Sequence, residues 1–114
     1  MPVKFHRFDH YYINYLTPTQ ELRLDQIVIY CSQQYSDGQT QPVGTLRFWK
    51  GQVPKNQYFS DNNVMLNFHL DDFPRILDLL RSEKPCFICL DPETQFGYLA
   101  TRYQPQGHNI LAKK

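Results

Sequence analysis

Apolar positions recur with two different periods along this chain, and the change of period marks its elements. Val64, Leu66, Phe68 and Leu70 alternate with Met65, Asn67 and His69, the period of two expected of a half-buried strand. Directly afterwards Phe73, Ile76, Leu77 and Leu80 fall at i, i+3, i+4 and i+7, a single apolar helical stripe. Asp71 and Asp72 stand at the positive end of that helix as caps, and Pro74 fits its first turn, where a missing N–H costs nothing. Pro85 stops it near Glu83. The spacing therefore predicts one principal helix over about residues 71–83.

The remaining apolar segments read as strands. Residues 3–16 carry both a helical stripe (Phe5, Phe8, Tyr12, Tyr15) and the Tyr, Ile and Phe enrichment of a strand, and strand is the preferred reading. Thr17-Pro18-Thr19 breaks that segment. Ile27–Cys31 is a strand, and the change of parity at Asp25-Gln26 predicts a bulge or short turn. Asp37-Gly38 is a turn signal inside the polar loop 33–42, because glycine takes positive φ without steric cost. Residues 43–50 form the next strand, and Pro54 makes 51–63 a connection with a short edge strand at Tyr58-Phe59. Cys86–Leu90 and Phe96–Tyr103 make a hairpin around Asp91–Gln95.

The expected fold is α+β: a mainly antiparallel, curved sheet of five or six strands, one principal helix, then a C-terminal β-hairpin. One domain covers 1–114, with a loose tail from about residue 105. A sheet backed by one helix leaves a face that must be solvated or meet a partner.

Composition sharpens that point. Eight Phe, eight Tyr and one Trp make 15% of the chain, more aromatic surface than one small core normally needs. The formal charge of +1 argues against a polybasic nucleic-acid arm or a polyacidic tail. The N-terminal stretch carries Lys4, His6, Arg7 and Asp9 and no apolar signal region, and no run approaches a membrane span. Three cysteines at irregular spacing fit a reducing compartment, so a cytoplasmic location is expected.

Few residue patterns carry chemistry. Cys86 and Cys89 form a CxxC, but no second ligand pair accompanies it and it opens a strand, where residues three apart diverge. Both cysteines, and Cys31, read as structural. His6 and His10 share a face but lie too far apart along a strand to chelate one ion. Asp71 and Asp72 are explained as caps. No nucleotide-binding, hydrolase or metalloprotease motif occurs. No metal, cofactor or catalytic residue is assigned. A metal-free nuclease using His, Lys and Tyr is a third reading, without residues placed side by side to support it.

The constellation that remains lies on strands. Arg47 and Trp49 alternate with Leu46 and Phe48; His69 lies on the polar side of its strand; Phe96, Tyr98 and Arg102 lie opposite Leu99. If these faces coincide, they form one aromatic and guanidinium surface. Such a surface suits a protein interface, where Trp, Tyr and Arg are enriched, or single-stranded nucleic acid, whose bases stack on rings while Arg meets phosphate. The preferred expectation is a small non-catalytic binding or assembly module that forms a homo-oligomer or meets a protein partner through this face. The alternative is a single-stranded DNA- or RNA-binding protein using the same residues. The order of strands followed by a helix resembles, in organisation only, small single-stranded-DNA-binding domains of the Whirly and PUR kind; that likeness implies a curved sheet backed by a helix and assigns no residue.

Overall fold

The computed structural model describes residues 3–16 and 25–101. In these residues the chain runs β1 (Lys4–Phe8), β2 (His10–Tyr15), β3 (Asp25–Gln34), β4 (Thr40–Trp49), β5 (Gln57–Ser60) and β6 (Asn63–His69). A 3-10 turn (Leu70–Asp72), helix α1 (Phe73–Ser82), β7 (Cys86–Leu90) and β8 (Gly97–Ala100) follow. The α+β class, the helix and the C-terminal hairpin are those the pattern predicts.

The strands form two sheets rather than one. A five-stranded sheet has the order β2-β3-β4-β6-β5, and a three-stranded sheet the order β1-β7-β8. The division falls at Asp9. Residues 4–8 pair with β7, whereas residues 10–15 pair with β3, so the first extended segment feeds both sheets. Its mixed periodicity has a cause here: the two halves face different neighbours, and a single alternation cannot run through the joint. Pairing is antiparallel except between β4 and β6, which run parallel. β5 lies beyond β6, so the chain passes over one strand position and the β5–β6 hairpin returns to fill it.

The inner faces of the two sheets and one face of α1 make the core. Ile27, Ile29, Leu46, Phe48, Val64 and Leu66 from the large sheet meet Ile88 and Leu90 from the small one and Leu80 from the helix. Phe48 is stacked on Phe68 and meets Phe73 edge-on, with ring centroids 5.5 and 5.3 Å apart. The helix thus covers part of the inner face and the small sheet covers part. A second cluster, Phe87, Cys89 and Ala100 with Val3, Phe5 and Tyr98, lies on the outer side of the small sheet. That is why β7 is buried at every position and reads as an unbroken apolar run.

Three details depart from the expected ones. Asp72 occupies the N-cap of α1 but makes no capping bond with its side chain; its carboxylate instead holds Arg75 at 2.7 Å. His69 does the capping, its Nδ1 accepting from the Asp71 N–H at 3.1 Å. Of the four stripe residues only Leu80 is fully buried, and Leu77 is partly buried. The bulge near Asp25 is present as a register shift between Asp25 and Ile27. The Asp37-Gly38 turn closes β3 and β4, with Gly38 at φ 87°. The tail from residue 105 lies outside the described residues.

Candidate functional site

The parity of β4 and β6 brings three of the six expected surface residues together. Arg47 is registered beside Asn67 and Trp49 beside His69, all on the outer face of the large sheet. The indole Nε1 donates to Asn67 Oδ1 at 2.8 Å, and Asn67 Nδ2 donates to the Lys55 carbonyl at 2.7 Å, so the ring is braced in place. Phe96 and Tyr98 lie elsewhere. Tyr98 pairs with Cys89 and projects from the outer side of the small sheet, across the core from Trp49. The single surface imagined from the alternation is therefore divided between two sheets, because β8 pairs with β7 and not with the large sheet. Phe96 is 55% exposed and lies 5.7 Å from the Tyr98 ring. Arg102 lies outside the described residues.

Two tyrosines that the sequence reading did not assign complete the large face. Tyr12 and Tyr30 are cross-strand partners and stack with centroids 4.9 Å apart and planes 17° from parallel. Tyr12 remains 61% exposed. Val28, the cross-strand partner of Arg47, lies in the next row and is only 1% exposed although it faces outward. Strand register was the missing information: Tyr12 and Tyr30 are eighteen positions apart, and only the β2–β3 pairing puts one on the other.

Among the described residues the same face ends in an open edge. β2 is the terminal strand, pairing six consecutive residues with β3 without a register shift. Its sequence, HYYINY, contains no Lys, Arg, Asp, Glu or Pro. The opposite edge is different. β5 has four residues and an irregular register, and beside it stands an ion cluster.

That cluster is the second feature that sequence spacing could not reveal, since its members come from positions more than fifty apart. Lys4 Nζ donates to Tyr58 Oη at 3.0 Å and lies 3.5 Å from Asp61 Oδ1, and Tyr58 donates to the same Asp61 oxygen. The His6 ring lies 6.2 Å from that of Tyr58. The Tyr58 bond and the Asp61 charge raise the Lys4 pKa, while the Tyr58 bond and Lys4 lower that of Asp61. Burial lowers the pKa of His6 against the pull of Asp61. Beside His6 a polar cleft of about 180 Å³ opens between β1, the β3–β4 hairpin and the β5–β6 turn.

The cysteines face apart, as an extended CxxC requires. Cys86 belongs to the main core and Cys89 to the outer cluster. Burial pushes the Cys89 thiol up to about 12 and raises those of Cys31 and Cys86 as well. Among the described residues no three His, Cys, Asp or Glu side chains converge to hold a metal ion, and no helix is long and apolar enough to cross a membrane.

No family model, curated protein or solved structure matches this chain.

Proposed function

We propose that this chain is a small non-catalytic assembly module that pairs with a second copy of itself through β2. The observation that supports the reading is the contrast between the two edges of the large sheet. An edge strand offers a row of unpaired N–H and C=O groups, and proteins that stay monomeric blunt it with charge, proline, bulges or shortness. β5 is short and irregular. β2 has none of these devices, and Tyr12 and Tyr15 are 61% and 63% exposed.

Parity restricts the pairing. Two copies related by a twofold axis normal to the sheet keep outer face with outer face, so residues opposite one another must have the same parity. A register centred on Tyr12 sets Tyr12 against its own copy, Tyr11 against Ile13, and His10 against Asn14. The outer-face rings would then meet as two stacked tyrosine pairs, and aromatic cross-strand pairs are favourable ones. The Arg47, Trp49 and His69 patches of both copies would share one ten-stranded face. A six-residue strand contact falls short of the standard interface of roughly 1,600 Å², so a micromolar association is expected rather than an obligate one.

Sedimentation velocity over a concentration series tests the reading, with Tyr12→Lys as the comparison. The substitution adds charge to an exposed position and leaves the core untouched. Dimer formation that rises with concentration and is lost in Tyr12→Lys supports the module. A monomer at every concentration, or a dimer indifferent to Tyr12→Lys, removes it.

A second reading, binding of single-stranded nucleic acid on the outer face, is favoured by one observation. The described side chains of that face set the Arg47 guanidinium and His69 in the same rows as the Trp49 ring and beside the Tyr12–Tyr30 stack, with the Asp71 carboxylate 3.4 Å from His69. Phosphate contacts release counterions, so such binding would weaken steeply with salt, whereas strand pairing would not. Salt-sensitive binding of oligo-dT that falls in Trp49→Ala would support this reading, and its absence at low salt would remove it.

A further inference from the structure

The polar cleft beside β1 has a distinct chemistry. It is lined by His6, Arg7, Tyr35, Gln41, Asp61 and Asn62, among others. Its formal charges are already neutralised: Asp61 by Lys4, and Arg7 by Asp9 at 3.6 Å. A charged ligand gains little there. The hydrogen-bonding groups are not all used. His6 Nε2 is buried and has no partner, an arrangement that costs stability unless something fills it. In the tautomer that carries its proton on Nδ1, the neutral imidazole has a lone pair on Nε2. Tyr35 donates to Gln41 Oε1 at 3.1 Å, which occupies the Gln41 oxygen and leaves its NH2 as a donor. The bonds from Tyr58 and Lys4 both fall on Asp61 Oδ1. The cleft thus offers acceptors at His6 and Asp61, a donor at Gln41 and both at Asn62, beside the ring of Tyr35.

We propose that this cleft holds an unpaired nucleobase, read through its amino-bearing edge. A neutral planar ring with an exocyclic amino group beside a ring nitrogen or carbonyl presents donor and acceptor side by side. Amide and carboxylate side chains read that pattern, and aromatic side chains take the ring face. The acceptors at His6 and Asp61 need ligand N–H groups, so adenine, cytosine and guanine fit better than uracil. The site is separate from the β2 edge and does not depend on pairing of two copies.

The test is a titration of 15N-labelled full-length chain with adenosine, cytidine, guanosine, uridine and glucose, followed by amide chemical shifts. Shifts at His6, Gln41, Asp61 and Asn62 are expected with the amino-bearing nucleosides, at lower concentration than with uridine, and none with glucose. Asn62→Ala and Gln41→Ala, both exposed positions that spare the core, should each weaken binding about fivefold, the size of one neutral hydrogen bond. His6→Ala should abolish it, with the amide spectrum reporting whether the variant is folded. An oligo-dC arm separates a base carried on a strand from a free one: tighter binding of the oligomer identifies the strand as the source. Absence of shifts with every nucleoside overturns the proposal. So does equal response to glucose, or affinity unchanged in both Asn62→Ala and Gln41→Ala.

Discussion

Gly44 shows how much of this fold can rest on one missing atom. It lies where parallel β4 and β6 meet, and a Cβ there would stand 2.3 Å from the Val64 carbonyl oxygen and 3.1 Å from Ile88. The first of these neighbours is backbone, which cannot swing aside as a side chain can. Gly44→Ala is expected to cost about 1–3 kcal/mol, the usual range for forcing extra volume into a packed site, measured by urea denaturation. A loss below a few tenths would mean that β4 and β6 lie further apart. The cysteines are the other residue-scale feature, and here the sequence was a sufficient guide. Extended geometry sends Cys86 and Cys89 to opposite sides, and both are buried. With the Cys89 pKa pushed up to about 12 by burial, very little thiolate exists near neutrality. Native protein should therefore resist iodoacetamide at pH 8, and all three cysteines should react once denaturant is added. Rapid labelling of Cys89 in the native state would contradict its placement. Tyr12 and Tyr30, by contrast, were illegible as a pair, since nothing in either segment states the register that stacks them.

At the scale of elements, the strongest local signals were the most legible. The i, i+3, i+4, i+7 stripe and the flanking prolines located α1 to within two residues at its N-terminus and one at its C-terminus. The stripe could not rank its own members. Helical periodicity defines a face, but the depth of each residue depends on where the sheets approach, and they approach at Leu80. Leu80→Ala should cost on the order of 2–5 kcal/mol, and Leu77→Ala clearly less. Equal losses in the two variants would show that the helix is rotated from the described packing. Capping was misread for a related reason. Composition put carboxylates at the helix start, yet the preceding 3-10 turn moves the cap to His69 and frees Asp72 to hold Arg75. The edge strands differ in the same way: a short edge strand at Tyr58-Phe59 was expected within the polar connection, while the place of β2 at the edge of the described sheet follows from strand order, which the sequence does not state.

For the molecule as a whole, the two-sheet arrangement depends on a joint that no pattern advertised. Asp9 is the one residue between β1 and β2, and it ties both sheets together. Its N–H donates to the Ser32 carbonyl at 3.1 Å. Its Oδ1 accepts from the Gln34 N–H at 3.0 Å and lies 2.7 Å from His10 Nδ1, while Arg7 stands 3.6 Å from Oδ2. Burial pushes the Asp9 carboxyl up, but the bonds from His10 and Gln34 and the charge of Arg7 outweigh it, so the pKa lies below its ordinary value. The folded state therefore holds the ionised form more strongly than the unfolded chain does. That contribution to stability is present above the unfolded pKa, near 4, and is lost as pH falls through the lower folded value. Asp9→Asn keeps the size of the side chain and part of its bonding but removes the charge. It should lower stability at pH 7 by about 1 kcal/mol, less than the roughly 1.5–3 kcal/mol of a whole hydrogen bond to a charged group because part of the bonding remains. It should also flatten the acid limb of the stability curve, because the variant has no carboxylate to protonate at the joint. Thermal melts of both proteins between pH 2 and 7 measure the difference, and the two curves should converge at the acid end. Parallel curves across that range would mean that Asp9 does not hold the two sheets together through its charge.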